Sequence, residues 1–333
     1  MKLFSGKIKT EFIVLAVIIA GLTALLLLRD PDRLKYEIPQ LPSVERQDVD
    51  RVEIQSEKGL IVLMRNEGKW RLKSSGHLVD GSKLNAALDA IADLNLTTLV
   101  SRSKDYARYG MDADGAIQVK AFAGETEVRA FILGKVASTY RHTFMRFPED
   151  QRVFHATGSL RSRFEYGVDD WRDKTVLSFA PAEISELSLA MKKLTGTFQR
   201  NARPAATAEA KETPPEGPGQ TPATVWIAKD GREVDSKTMD LLLQSLAGLS
   251  CQEFSQENPE GQAVLTVTLK GSKDYHLELF RLEEGDSAAR FTGKSSAVSQ
   301  PFVIAQYTAE ELIRKVEAVF KSDKTAGGQA TDK

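Results

Sequence analysis

The chain has 333 residues, 41% of them apolar, and a formal net charge of −1, so it can bury a sizeable core and has no overall charge that draws it to nucleic acid. Its single cysteine, Cys251, excludes an intramolecular disulfide and cysteine-built zinc sites. The four histidines, His77, His142, His155 and His276, lack metal-ligand spacing, and no cofactor or metal is expected.

From Phe12 to Leu28 the run FIVLAVIIAGLTALLLL carries no charge. At about 17 residues it reaches the lower limit for a helix crossing a bilayer core. A cleaved signal peptide would be shorter and would end in a small-residue site, whereas Leu25 to Leu28 run straight into Arg29. The reading is a transmembrane anchor at 12–28. A tail at 1–11 carrying Lys2, Lys7 and Lys9 stays in the cytoplasm, and the rest of the chain lies outside it. Residues 29–48, with Pro31, Pro39, Pro42 and many charges, read as an extended tether.

The folded part begins near Val49. Val52 and Ile54 alternate with polar residues, Gly59 marks a turn, Leu60 to Met64 form a second strand, and Trp70 with Leu72 opens a third. Leu84, Leu88, Ile91 and Leu94 then share one face of a helix that Asp80 or Ser82 can cap. The plan recurs downstream. Leu187 and Leu189 stand where Val52 and Ile54 stood, Arg200-Asn201 repeats Arg65-Asn66, and Trp226 repeats Trp70. Met239, Leu243, Leu246 and Leu249 follow the first helix face at a constant offset of 155 residues, behind Asp235 in the place of Asp80.

The offset changes between Asn201 and Trp226, where about 21 extra residues rich in Pro, Ala, Thr, Glu and Gly intervene. They predict a disordered insert, 202–224, at a hairpin tip. Each copy closes with a two-strand hairpin and a strand leading into a helix, RVFHATGSLRSRF in the first and PFVIAQYTAEELIRKV in the second, where Thr308 and Glu311 fit a capping box. The expected fold class is α+β: one transmembrane helix, then two related β-meander and helix modules produced by internal duplication, at 49–180 and 181–320, and a disordered tail at 321–333.

Two phrases carry a resemblance: DYARYGMD (Asp105 to Asp112) and WRDKTVLSF (Trp171 to Phe179). Together with the N-terminal apolar run they resemble the bacterial domain-of-unknown-function family 4340. Tyr109, Gly110 and Asp112 match its YGLD-like phrase, with Met111 in place of Leu; Arg172, Asp173 and Leu177 match its second phrase. The second module departs from the pattern, reading FSQENPEG where a YGLD would recur. Members are often associated with ABC-type transport systems of the gliding-motility auxiliary kind. The resemblance therefore implies a non-catalytic, membrane-anchored periplasmic accessory or scaffold protein of a bacterial inner-membrane transport complex. Its expected partners are the membrane, through residues 12–28, and transport proteins. The alternative is a periplasmic binding module for a glycan or peptide, with an envelope hydrolase behind both.

Other motifs are weaker. FILGKV, with Arg129 and Val136 flanking it, is no phosphate loop, and MDADG reads as a plain turn. Asp80 and Asp235 read as helix caps, Trp70 and Trp226 as core anchors, and Cys251 as a buried thiol. Between Tyr140 and Lys174, Arg141, Arg146, Arg152, Arg161, Arg163 and Arg172 alternate with aromatics and acids. A salt-laced solvated face is the plain reading; a partner surface built from those six arginines is the functional one.

Overall fold

The structure, a computed structural model, describes residues 10–28, 37–202, 224–282 and 290–326. The predicted tail before residue 10, the stretch 29–36, the insert at 203–223 and the tail beyond 326 lie outside the described residues. The chain divides into two units between Arg172 and Asp173, inside the phrase WRDKTVLSF.

The first unit follows helix α1 (Thr10–Leu28). It contains β1 (Arg51–Ser56), β2 (Gly59–Asn66), β3 (Lys69–Leu72), α2 (Gly81–Ala92), β4 (Leu96–Ser101), β5 (Ile117–Ala123), β6 (Thr126–Val136), β7 (His142–Arg146), β8 (Val153–Thr157) and the short α3 (Val168–Trp171). The second contains β9 (Thr175–Ser178), β10 (Glu186–Met191), β11 (Leu194–Ala202), β12 (Thr224–Ala228), β13 (Glu233–Val234), α4 (Ser236–Leu246), β14 (Gly248–Ser250), β15 (Glu253–Phe254), β16 (Leu265–Lys270), β17 (Tyr275–Leu282), β18 (Arg290–Ser295), β19 (Val298–Ile304) and α5 (Gln306–Ala326).

The expected α+β class with a transmembrane helix is corrected on both counts. Among the described residues the chain is mostly β-sheet: every strand lies in one of three antiparallel sheets, of eight, nine and two strands. Among the described residues, no helix is long and apolar enough to cross a membrane. The helix expected to close the first module is also missing. Arg161–Arg163 is one 3-10 turn and α3 has four residues, with Gly167 between them. In the second unit α5 starts at Gln306, so Thr308 sits inside its first turn rather than at the cap.

The large sheets share one strand order. The first runs β3-β2-β1-β5-β6-β7-β8-β4, and the second, inside its extra edge strand β13, runs β12-β11-β10-β16-β17-β18-β19-β15. Registers agree as well. Arg65 pairs with Trp70 and Arg200 with Trp226. The amide of Arg65 donates to the carbonyl of Asp50 at 2.7 Å, and that of Arg200 to the carbonyl of Ser185 at 2.8 Å. Asp80 caps α2, accepting from the amides of Ser82 and Lys83; Asp235 caps α4, accepting from the amide of Thr238.

Each sheet buries one face against its own helices. In the first unit Val52, Ile54, Leu63, Phe131, Phe154 and Trp171 surround the face of α2 that holds Leu84, Leu88 and Ile91. Residues 37–48, read as part of a tether, form no helix or strand, yet Ile38, Leu41 and Val44 pack on this core. In the second, Leu187, Leu189, Phe198, Trp226 and Phe302 enclose Met239, Leu243 and Leu246 of α4 together with Leu312 and Val316 of α5. Each large apolar side chain fully buried in this way contributes about 1.5–3 kcal/mol.

Candidate functional site

The six arginines between Tyr140 and Lys174 are spread over separate partners. Arg146 lies with its guanidinium 4.6 Å from the Tyr106 ring and donates to the carbonyl of Phe147. Arg152 grips Asp150 through Nε and Nη2, holding that carboxyl below the usual range. Arg161 donates to the carbonyl of Gly115 and pairs with Glu165 at 2.9 Å. Arg163 donates to the carbonyl of Ala86, and Arg172 bridges Val79 on the backbone. Arg141 is exposed, beside Tyr140, which is 81% exposed in a left-handed turn. Of the interleaved aromatics, Phe154, Phe164 and Trp171 are core residues.

A concave site lies elsewhere, on the outer face of the second sheet. Because side chains alternate along β10, Leu187 and Leu189 point to the core while Glu186 and Ser188 face out. Glu186 stands opposite Gln199 on one side and Lys270 on the other. It pairs with Lys270 Nζ at 2.8 Å and accepts from Gln199 Nε2 at 3.2 Å. The Ser188 and Thr197 hydroxyls meet at 3.1 Å. With Asn201 and Lys229 these residues line a groove of about 620 Å³. The Lys270 hydrogen bond, then that of Gln199, lowers the Glu186 pKa. The Glu186 carboxylate thus stands in the groove as a hydrogen-bond acceptor. The first sheet fills the same place: Arg51, opposite Phe122, lies 4.0 Å above that ring.

The two phrases singled out in the sequence have packing roles. Tyr109 ends a 3-10 turn, and Gly110 follows in the left-handed conformation that glycine adopts without steric cost. Met111 is buried, and a Cβ on Gly134 of β6 would overlap the Tyr109 carbonyl oxygen and the Met111 side chain. Tyr109 also packs on Phe144, ring centroids 5.0 Å apart, and Asp112 Oδ1 accepts from the amide of Gly115. In the second phrase Trp171 is fully buried and its carbonyl accepts from the amide of the Asp80 cap. Asp173 Oδ1 accepts from the amide of Thr175, and Leu177 pairs with Leu249. The profile of the family described as Domain of unknown function (DUF4340) matches residues 70–278. The chain belongs to the DUF4340 family.

No curated protein and no solved structure gives a match. The DUF4340 match contains both phrases and the outer groove, but it leaves out β1, β2, β18, β19 and α5. Since β1 lies between β2 and β5, the folding units extend beyond the matched segment. Among the described residues of this DUF4340 protein no group of three or more His, Cys, Asp or Glu side chains could hold a metal. The groove was missed in the sequence because its residues come from four strands. The one available signal was the polar alternation Glu186-Ser188 and Thr197-Gln199.

Proposed function

We propose that this DUF4340 protein is a non-enzymatic accessory or scaffold module of a bacterial envelope transport complex, with its sheets on the periplasmic side of the inner membrane and ABC-type transport components as partners. The observation that carries this reading is that the family phrases are occupied in folding: Tyr109, Gly110, Met111, Trp171 and Asp173 seat loops and cap turns. A family held together by such residues shares a framework rather than a reacting group. The half-exposed Val14, Leu15, Val17, Ile18, Ile19 and Leu22 of α1 also support attachment to an apolar neighbour. The test is co-purification of the tagged full chain in mild detergent, with an unrelated envelope protein as control bait. Specific enrichment of a transporter's permease or ATPase supports the reading; recovery of the bait alone, under conditions that keep known complexes together, overturns it.

The outer groove favours a second reading, a binding module for a glycan or an extended peptide. Its amides, hydroxyls and charged pair suit hydroxyl or peptide groups. Calorimetry with cell-wall fragments separates the two readings: binding lost on Gln199→Ala supports the second.

A further inference from the structure

The hairpin turns after β1 and after β10 occupy equivalent positions in the two sheets and are finished differently. The first is closed. Lys58 Nζ donates to the carbonyl of Glu165 at 3.1 Å, and Arg161 donates to the carbonyl of Gly115 and pairs with the Glu165 carboxylate. The hollow among them has no volume that water could enter.

In the second unit the turn faces α5 across an open cleft of about 540 Å³, lined by Met191, Leu194 and Phe320 and by the stems of Lys192, Lys193 and Lys321. An adjoining cleft of about 270 Å³ shares Met191, Lys192 and Glu317 and runs past Val264, Phe291 and Ile313. The aromatic wall depends on Gly196, which stands where the first sheet has Ile61. A Cβ there would come within 2.9 Å of the Phe320 ring and 3.0 Å of the Phe198 ring. Among the described residues, five cations line the two clefts, Lys192, Lys193, Lys321, Arg281 and Arg314, against the acids Glu310 and Glu317. The floor is therefore apolar and the rim carries positive charge in excess, within the volume range of small-molecule sites.

We propose that this cleft binds one free fatty acid, its chain along Met191, Leu194 and Phe320 and its carboxylate at Lys192 and Lys193. The apolar floor accommodates the acyl chain, and the rim gives the preference for an anion.

The full chain in detergent-free buffer is labelled with a photoactivatable dodecanoate analogue, and the modified residues are mapped by mass spectrometry. Labels within 191–198 and 310–321 are expected; labels confined to 10–28 or scattered over the surface overturn the proposal. In calorimetry, decanoate should bind roughly ten-fold more weakly than dodecanoate for the loss of two buried methylenes. Affinity independent of chain length, or binding to anionic vesicles without binding of monomeric dodecanoate, overturns it. Leu194→Glu should abolish binding. The double change Lys192→Asn and Lys193→Gln, both at exposed positions, should weaken dodecanoate about five-fold and leave 1-decanol unchanged. The lysine variant decides the matter if Leu194→Glu fails to fold, and unchanged dodecanoate affinity in it overturns the proposal.

Discussion

The two sheets have the same strand order and matched registers, yet their edges and outer faces are used differently. At β6 the first sheet carries Gly134, over which the Tyr109 loop settles; the equivalent residue in the second, by strand pairing, is the buried Phe280. Where the first buries Arg129, the second has Tyr275, packed 5.4 Å from Phe179. Where the first turn is sealed by Lys58 and Glu165, the second opens into the cleft beside α5. The contrast teaches that strand register, the Arg–Trp pairs and the aspartate caps coincide in the two units while the surfaces between them diverge.

The comparison can be broken first at the cores. Trp171 and Trp226 are each almost completely buried, one per unit. Trp171→Ala and Trp226→Ala should each cost about 3–5 kcal/mol in denaturant unfolding; a loss below about 1 kcal/mol at either site would show that its core is not packed as described. A sharper contrast is expected at the two crowded glycines. Gly134→Ala drives a methyl into backbone and should cost about 2–3 kcal/mol, with protease cleavage appearing near Tyr109. Gly196→Ala meets only ring edges and should cost about 1 kcal/mol. Equal melting shifts would refute the contrast.

Below these come the caps. Asp80→Ala and Asp235→Ala should each lose about 1 kcal/mol at neutral pH. Hydrogen bonds from the Thr238 hydroxyl and amide hold Asp235 below its ordinary pKa, and burial around Asp80 is outweighed by bonds from Ser82 and Lys83. A depressed carboxylate contributes fully above its unfolded pKa of about 3.9 and loses that contribution as pH falls through the folded value. The difference between wild type and each variant should therefore narrow on acidification below about pH 4. A difference that persists undiminished to pH 2 would rule out the ionised cap.

The smallest effect is expected at Arg129. Its Nη2 donates to the carbonyl of Pro42 at 2.6 Å, but Nε and Nη1 are buried without partners, and burial pushes its pKa down. Arg129→Met should change stability by less than about 1 kcal/mol, or raise it, because no buried carboxylate is orphaned. A large loss would mean that the Pro42 contact is what ties residues 37–48 to the sheet.

Much of the local structure was legible in the chain. The faces of α2 and α4, the aspartate caps and the first hairpins follow from nearest-neighbour periodicity, which Leu84, Leu88 and Ile91 display plainly. The β-rich balance was less so. LRSRF looks helical by composition, but its Phe164 is pinned into the first core after a single 3-10 turn. The apolar run at 12–28 was read by length and charge alone. Neither concave site could be read, since Glu186 meets Lys270 and Met191 meets Phe320 only after distant segments pair. The arginines at 141–172 lie close in sequence, but alternation and turns send them to separate neighbours.

The ladder between β11 and β12 pairs every residue from Phe198–Ala228 out to Ala202–Thr224. Extending a connection from two residues to about twenty adds only about 2 kcal/mol of closure entropy, and the five rungs stand inboard of that connection. The junction at Ala202 and Thr224 is therefore a natural splice point, where an affinity tag or a small fluorescent reporter could be carried without disturbing either flanking strand.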